Sequence, residues 1–169
     1  MVVKVAICDD EQESLERVKN ELIRSADELE IEMKVHLYTD GRQVLDDAQN
    51  LDVLFLDIDM PMVSGLEVAR TLRENGSEVI LIFISAHEQY VFESIEYQPF
   101  RYIRKERIEV EVFHALKAAY RKVINLQSKY IVLKIDDCDM IIKMDEIMYF
   151  ETSLRKMEVH LKKWRNIDY

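Results

Sequence analysis

Apolar runs and helical patterns alternate along the first three quarters of the chain. "VVKVAIC" (2–8) has strand length, and "EQESLERVKNELIRSADELE" (11–30) sets Leu15, Val18, Leu22 and Leu29 near one helical face. The alternation in "IEMKVHLY" (31–38) predicts a second strand, and "DGRQVLDDAQ" (40–49) a short helix that Asp40 can cap. "DVLFLD" (52–57) predicts a third strand, followed by a helix in "SGLEVARTLREN" (64–75) that Gly76 ends. "EVILIFIS" (78–85), the most hydrophobic run, predicts a fourth strand, with a helix in "EQYVFESIEY" (88–97). A short fifth strand, "FRYIR" (100–104), leads into a long helix over 107–127, where Val110, Phe113, Leu116, Tyr120, Val123 and Ile124 recur at helical spacing.

Five β–α units in succession imply a parallel sheet covered by helices on both faces. Right-handed connections prune the topologies, and the doubly wound, flavodoxin-like strand order 2-1-3-4-5 accommodates five strands. The fold class is therefore α/β over residues 1–127.

After Gln127 the pattern changes. "YIVLKI" (130–135), "DMIIKM" (139–144), "IMYFET" (147–152) and "KMEVHLKKW" (156–164) are short runs that read as successive strands, with a bend at Asp136–Asp139 suited to a hairpin. Residues 128–169 form a second, mainly antiparallel all-β unit of about 40 residues, a size that rarely folds alone.

Composition narrows the setting. Hydrophobic residues make up 49% and charged residues 33% of the 169, as in a globular chain with a sizeable core. No apolar run approaches the ~20 residues needed to span a bilayer, and acids follow the short apolar start at once, unlike a signal peptide. Two cysteines, Cys8 and Cys138, make no disulfide framework, which points to a reducing cytoplasm and no membrane association. A formal net charge of −10 opposes a whole-molecule grip on nucleic acid but allows a local basic face.

The chemistry gathers at strand ends. In an open α/β sheet ligands bind beyond the carboxyl ends of the strands, at the switch in strand order, here between strands 1 and 3. Strand 1 ends in Asp9-Asp10 and strand 3 in Asp57, so three acids converge there. Unrelieved, they would raise one another's pKa values, and a hard cation such as Mg²⁺, which takes carboxylate and carbonyl oxygens, resolves the conflict. Strand 4 ends in the hydroxyl of Ser85 and strand 5 in the ammonium of Lys105. Carboxylates, a cation site, a hydroxyl and a lysine together describe a phosphoryl-transfer pocket with one carboxylate as nucleophile.

These pieces, Asp9-Asp10, Asp57 in "LFLDIDMP", Ser85-Ala86 and Lys105, resemble the receiver domains of bacterial two-component response regulators over residues 1 to about 125. The resemblance implies a phosphoacceptor signalling protein, not an enzyme acting on a separate substrate. It implies Asp57 as the acceptor of a phosphoryl group from a sensor histidine kinase. Asp10 and Asp57 would bind Mg²⁺ directly, Asp9 directly or through water, and Asp59 through its backbone carbonyl. Ser85, with Ala86 beside it, would be the switch hydroxyl that meets the phosphoryl group. Tyr102 would be the aromatic that rotates on activation, and Pro61 and Gly65 would shape the loop after the acceptor. Phosphorylation would repack the face from strand 4 to strand 5 and favour a homodimer. One departure stands out: Glu106 follows Lys105 where the family usually has proline, often after a cis peptide. A cis bond before a non-proline residue costs ~2.5–4 kcal/mol, which puts the strand 5 loop in question.

The tail, in "DEIMYFETSLRKMEVHL" (145–161), resembles the start of a LytTR-type DNA-binding domain. That likeness implies transcription regulation through promoter DNA, with Ser153, Arg155 and Lys156 as contact candidates. Residues 153–165 hold five Lys or Arg against one acid, Glu158. The family's domain is longer than this tail, so the DNA-binding unit is expected to be incomplete here.

Two other functions compete. A receiver can serve purely as a protein-interaction module without DNA binding. A haloacid-dehalogenase-type phosphatase also uses an acid-x-acid motif after an apolar strand, as in Asp57-Ile58-Asp59, but wants it on its first strand and an acidic pair later. His36, His87, His114 and His160 share no spacing and read as ordinary residues.

Overall fold

The computed structural model describes residues 1–127, 130–135, 138–153 and 156–162. It divides into two units, Met1–Arg121 and Lys122–Tyr169.

In the first unit, β1 (Val3–Cys8), β2 (Met33–Tyr38), β3 (Val53–Asp57), β4 (Ile80–Ser85) and β5 (Arg101–Arg104) form one parallel sheet in the order β2-β1-β3-β4-β5. This is the doubly wound order expected from five β–α units. The central strands explain their own composition: every residue of β3 and β4 is buried, so both run apolar where an edge strand would alternate. Side chains alternate between the faces. Ala6, Cys8, Leu54, Leu56, Leu81 and Phe83 share a core cluster with α2 (Gly41–Asp47) and α3 (Gly65–Glu74). Ile7, Phe55, Ile82 and Ile84 point the other way and are buried too, as are Leu15, Val18 and Leu22 of α1 (Gln12–Glu28) and Val112 and Leu116 of α5 (Ile108–Gln127).

Local signals set the element ends. Asp40 accepts the backbone N–H of Arg42 at 2.9 Å and caps α2. Ser64 and Glu67 form a reciprocal capping box at the start of α3. Gly76 takes a left-handed φ of 70° just beyond its end.

The helix expected over 88–97 is broken. Glu88–Tyr90 and Ile95–Tyr97 are 3₁₀ turns flanking a single α-turn, α4 (Val91–Ser94). Aromatic and β-branched residues are weak helix formers, and Ser94 Oγ donates back to the Val91 carbonyl at 2.7 Å. Gln98 then turns left-handed, with φ 51°, ahead of Pro99.

The second unit holds two antiparallel hairpins. β6 (Tyr130–Ile135) pairs with β7 (Cys138–Lys143), and β8 (Ile147–Ser153) with β9 (Lys156–Leu161). The strand expected over 156–164 ends as a strand at Leu161, and residues 163–169 lie outside the described residues.

Candidate functional site

Sheet register brings the strand ends together. Cys8 pairs with Leu56, and Asp57 with Ile84, so Asp9, Asp57 and Ser85 emerge side by side at the carboxyl edge. Carboxylate oxygens of Asp9, Asp10 and Asp57 lie within 4.8 Å of one another. Asp10 is exposed, whereas Asp9 and Asp57 are each 2% exposed.

Asp9 is the organising residue. Its carboxylate accepts the backbone N–H of Glu11 at 2.9 Å and the hydroxyl of the buried Ser14. It thereby ties the end of β1 to the first turn of α1, where Glu11 offers no side-chain cap of its own. Ser14 and Glu11 were not singled out in the sequence. Helical phase alone could have suggested Ser14, one position before the apolar Leu15.

Lys105 enters from the opposite side. Its Nζ is 2.8 Å from Asp9 Oδ2, 3.2 Å from Asp57 Oδ1 and 3.5 Å from Glu11 Oε2, with the side chain only 17% exposed. The described residues contain no cis peptide, so the chain passes from Lys105 to Glu106 in trans and turns through a 3₁₀ segment into α5. Glu106 is accommodated without displacing the lysine from the acids.

Electrostatics set the carboxyl of Asp57 apart. Burial, and then the charge of Asp9, push its pKa up from 3.8 to about 6, against the pull of Lys105. Contact with Asp9 and Asp57 outweighs burial at Lys105 and raises its pKa. Asp57 Oδ1 is buried, and although the ammonium is at ion-pair distance, no aligned hydrogen bond reaches it.

The loop after Asp57 is held tightly. Gly65 N–H donates to the Ile58 carbonyl at 2.9 Å, and a Cβ at Gly65 would lie 2.0 Å from the Asp57 carbonyl oxygen. Only glycine lets α3 start this close to the end of β3. Pro61 is exposed, and Met62 takes a left-handed φ of 71°. The Asp59 carboxylate is not among the clustered acids and has Oδ2 3.7 Å from His87 Nε2.

Ser85 is buried, and its Oγ accepts the His87 N–H at 3.0 Å. Ala86 is exposed. The Tyr102 hydroxyl donates to the His87 carbonyl at 2.6 Å, and its ring lies 6.5 Å from that of Phe83. His87, which the sequence reading treated as ordinary, thus links Ser85 and Tyr102. In the second unit Ser153 and Lys156 are register partners at the turn end of β8–β9, and Arg155 lies outside the described residues.

Comparison with known proteins agrees with this geometry. The response regulator receiver domain family matches residues 5–117. Sensory transduction protein LytT of Bacillus subtilis is 30% identical over 122 residues, covering 72% of this chain and 49% of the relative. The chain thus spans about half the length of that relative. LytT of Bacillus cereus is 23% identical over 163 residues and covers 88% of this chain, a share that must run past the receiver into the hairpins. Among solved structures, the signal receiver domain of the putative response regulator NarL from Mycobacterium tuberculosis has a TM-score of 0.61 at 27% identity, covering 70% of this chain and 96% of its own. Response regulator protein TrrA from Thermotoga maritima, in complex with Mg²⁺ and BeF, has a TM-score of 0.58 at 26% identity, covering 72% and 98%. A parallel sheet in the order 2-1-3-4-5, three acids and a lysine at its carboxyl edge, and a family match over 5–117 lead to one conclusion: this chain belongs to the response regulator receiver domain family.

Proposed function

We propose that the chain is a phosphorylation-controlled regulator whose acceptor is Asp57 and whose output is DNA binding. The observation that carries the reading is the buried Asp57 carboxylate, with one oxygen free of hydrogen bonds beside the Lys105 ammonium and two further acids.

The donor set suits Mg²⁺: three carboxylates offer only oxygen, Asp10 opens the cluster to water, and the buried Asp57 oxygen has no aligned hydrogen bond of its own. Asp9, Asp10, Asp57 and the Asp59 carbonyl would hold it. When bound, Mg²⁺ would neutralise charge on the phosphoryl oxygens.

The remaining work falls to side chains. Although burial and Asp9 raise the pKa of Asp57 to about 6, that still lies below neutrality, so the carboxylate is the nucleophile at pH 7. One of its oxygens forms a bond to phosphorus as the phosphorus–nitrogen bond of a kinase phosphohistidine breaks, and the departing imidazole keeps that electron pair. Lys105, already beside Asp57, balances the added charge. The Ser85 hydroxyl accepts from His87 and keeps its own proton to donate to a phosphoryl oxygen.

Likeness to the LytT proteins, which in one case runs past the receiver, supports transcription control through the tail, with Ser153, Arg155 and Lys156 as candidate DNA contacts; a protein that takes its phosphoryl group from a histidine kinase and binds promoter DNA would work in the cytoplasm. A groove of about 970 Å³ along β5 and α5, beside the highly exposed Phe92, supports a phosphorylation-dependent homodimer. The test is incubation with Mg²⁺ and a small acyl-phosphate donor, read by intact mass. Gain of one phosphoryl group, lost in Asp57→Ala, is expected. No gain at any donor concentration would overturn the acceptor assignment and favour a receiver that acts by binding alone.

A further inference from the structure

A second constellation of metal-type ligands lies in the β8–β9 hairpin, remote in sequence from the acidic pocket. Glu151 and Glu158 are directly opposite each other in the antiparallel register, and Tyr149 is opposite His160. Alternation along the strands puts all four on one face of the hairpin. The Nε2 atom of His160 is 3.0 Å from Glu151 Oε2 and 3.9 Å from Glu158 Oε2, and the three ligand atoms lie within 4.8 Å of one another.

Three features distinguish this group from a solvated run of acids. First, it combines an imidazole nitrogen with two carboxylates, a donor set suited to zinc and its first-row neighbours and not to Mg²⁺. Second, like charges directly across an antiparallel pair destabilise it. Here two carboxylates occupy such a pair in a short hairpin, and an ion of charge +2 would cancel both. Third, the imidazole is oriented: its ring stacks on Tyr149 at 4.3 Å between centroids and 15° between planes, with Nε2 facing the carboxylates. Tetrahedral coordination at metal–ligand distances of about 2.1 Å separates ligand atoms by roughly 3.4 Å. The observed 3.0 and 3.9 Å bracket that value, and the glutamates, both exposed, can close the difference by rotation about side-chain bonds.

We propose that Glu151, Glu158 and His160 form a binding site for a borderline transition-metal dication of the zinc class. Three protein ligands leave a fourth position open to water. The ion clips β8 to β9 near the end where Ser153 meets Lys156, and it neutralises the two glutamate charges on that face. Neither consequence depends on phosphorylation of Asp57, so the site goes beyond the proposed regulatory function and can be tested without it.

The experiment is calorimetric titration of Zn²⁺ into the full chain, with Mg²⁺ in large excess to hold the acidic pocket. One zinc equivalent is expected in the wild type and in Asp57→Asn. At least tenfold weaker binding is expected in His160→Ala and in Glu151→Gln. The glutamine variant also removes the like-charge pair, so its hairpin is no less stable, and loss of zinc there reports a lost ligand and not unfolding. With Co²⁺ in place of zinc, the wild type should show visible absorption bands of a nitrogen–oxygen site that disappear in His160→Ala. Absence of zinc binding under Mg²⁺, or zinc binding of equal strength in both hairpin variants, would overturn the assignment.

Discussion

Replacing Asp57 with asparagine should stabilise the metal-free protein at neutral pH, although it removes a residue of the central pocket. The carboxyl of Asp57 has its pKa raised from 3.8 to about 6 by burial and by Asp9. Below about pH 3.8 the group is protonated in both folded and unfolded chains and contributes nothing. Between about pH 3.8 and 6 the folded chain holds the proton that the unfolded chain has lost, so this group lowers stability as pH rises. Above about pH 6 it is ionised in both, and the full cost of keeping the charge buried is present. At 1.36 kcal/mol for each pKa unit, that cost is roughly 3 kcal/mol. Asparagine keeps the shape and drops the charge, while Lys105 keeps Asp9 at 2.8 Å and Glu11 at 3.5 Å as partners. The expected gain in EDTA at pH 7 is therefore about 1–3 kcal/mol, or on the order of 5 °C in Tm for a chain of this size. The gain should shrink towards zero near pH 4. Saturating Mg²⁺ should raise the wild-type Tm and leave Asp57→Asn nearly unmoved. Thermal unfolding followed by circular dichroism at pH 4, 5, 6 and 7 measures all of this. An asparagine variant less stable than wild type in EDTA at pH 7, or a gap that does not change with pH, would refute the account of a buried carboxylate whose burial and neighbouring Asp9 outweigh its Lys105 partner.

Lys105→Ala should leave Asp9 and Asp57 without their cation and destabilise the metal-free protein by about 2–3 kcal/mol, with Mg²⁺ restoring part of the loss; urea unfolding with and without Mg²⁺ checks this. Gly65→Ala should cost at least ~2 kcal/mol, because its Cβ would meet the Asp57 carbonyl, and should weaken Mg²⁺ binding by shifting that strand end; denaturation and titration calorimetry read the two effects. Arg73→Met should cost roughly 2–3 kcal/mol, since the guanidinium donates to the carbonyls of Tyr97, Ser77 and Val79, and faster amide exchange over 77–80 and 97–100 is the local signature. Tyr102→Phe should cost about 1–2 kcal/mol and speed exchange at 86–90, because the bond to the His87 carbonyl and the interaction with the Ser85 hydroxyl are both lost.

Much of this was legible in the sequence because period and burial coincide. Strands 3 and 4 are buried on both faces and therefore appear as unbroken apolar runs. Their ends are visible as the points where an acid or a hydroxyl interrupts those runs. What escaped has a physical cause in each case. The segment 88–97 has helical period but lacks the propensity to hold a full helix, and Ser94 competes for the backbone. Ser14 does its work through Asp9, five residues away, across a strand-to-helix turn that no single period describes. Arg73 looks like one more charge on a surface helix, yet it spans three loop carbonyls. His160 was unremarkable by spacing, since its partners Glu151 and Glu158 meet it only once the hairpin register is fixed. Glu106 suggested a disturbed lysine, and the structure places Lys105 on both carboxylates regardless.

Under the proposed function, the way the pocket reports to the surface follows from His87. Its N–H is held by Ser85 Oγ at the end of β4, and its carbonyl by the Tyr102 hydroxyl on β5. Its imidazole lies 3.7 Å from Asp59 and edge-on to Tyr90. A phosphoryl group on Asp57 that draws the Ser85 hydroxyl towards it strains or breaks the first bond. Release of the His87 peptide then loosens the bond that fixes Tyr102. Tyr102, like Tyr90, is partly buried against the core cluster that contains Phe83, so a discrete shift of its ring is expected in place of a graded one. Two hydrogen bonds of roughly 1 kcal/mol each are at stake, which corresponds to about a thirtyfold bias in a two-state equilibrium. That is enough to move a minor conformer of a few per cent to about half the population. Tyr102 and Phe92 flank the groove along β5 and α5, so Ser85, the His87 peptide and Tyr102 form a continuous hydrogen-bonded connection from the end of β4 to that surface.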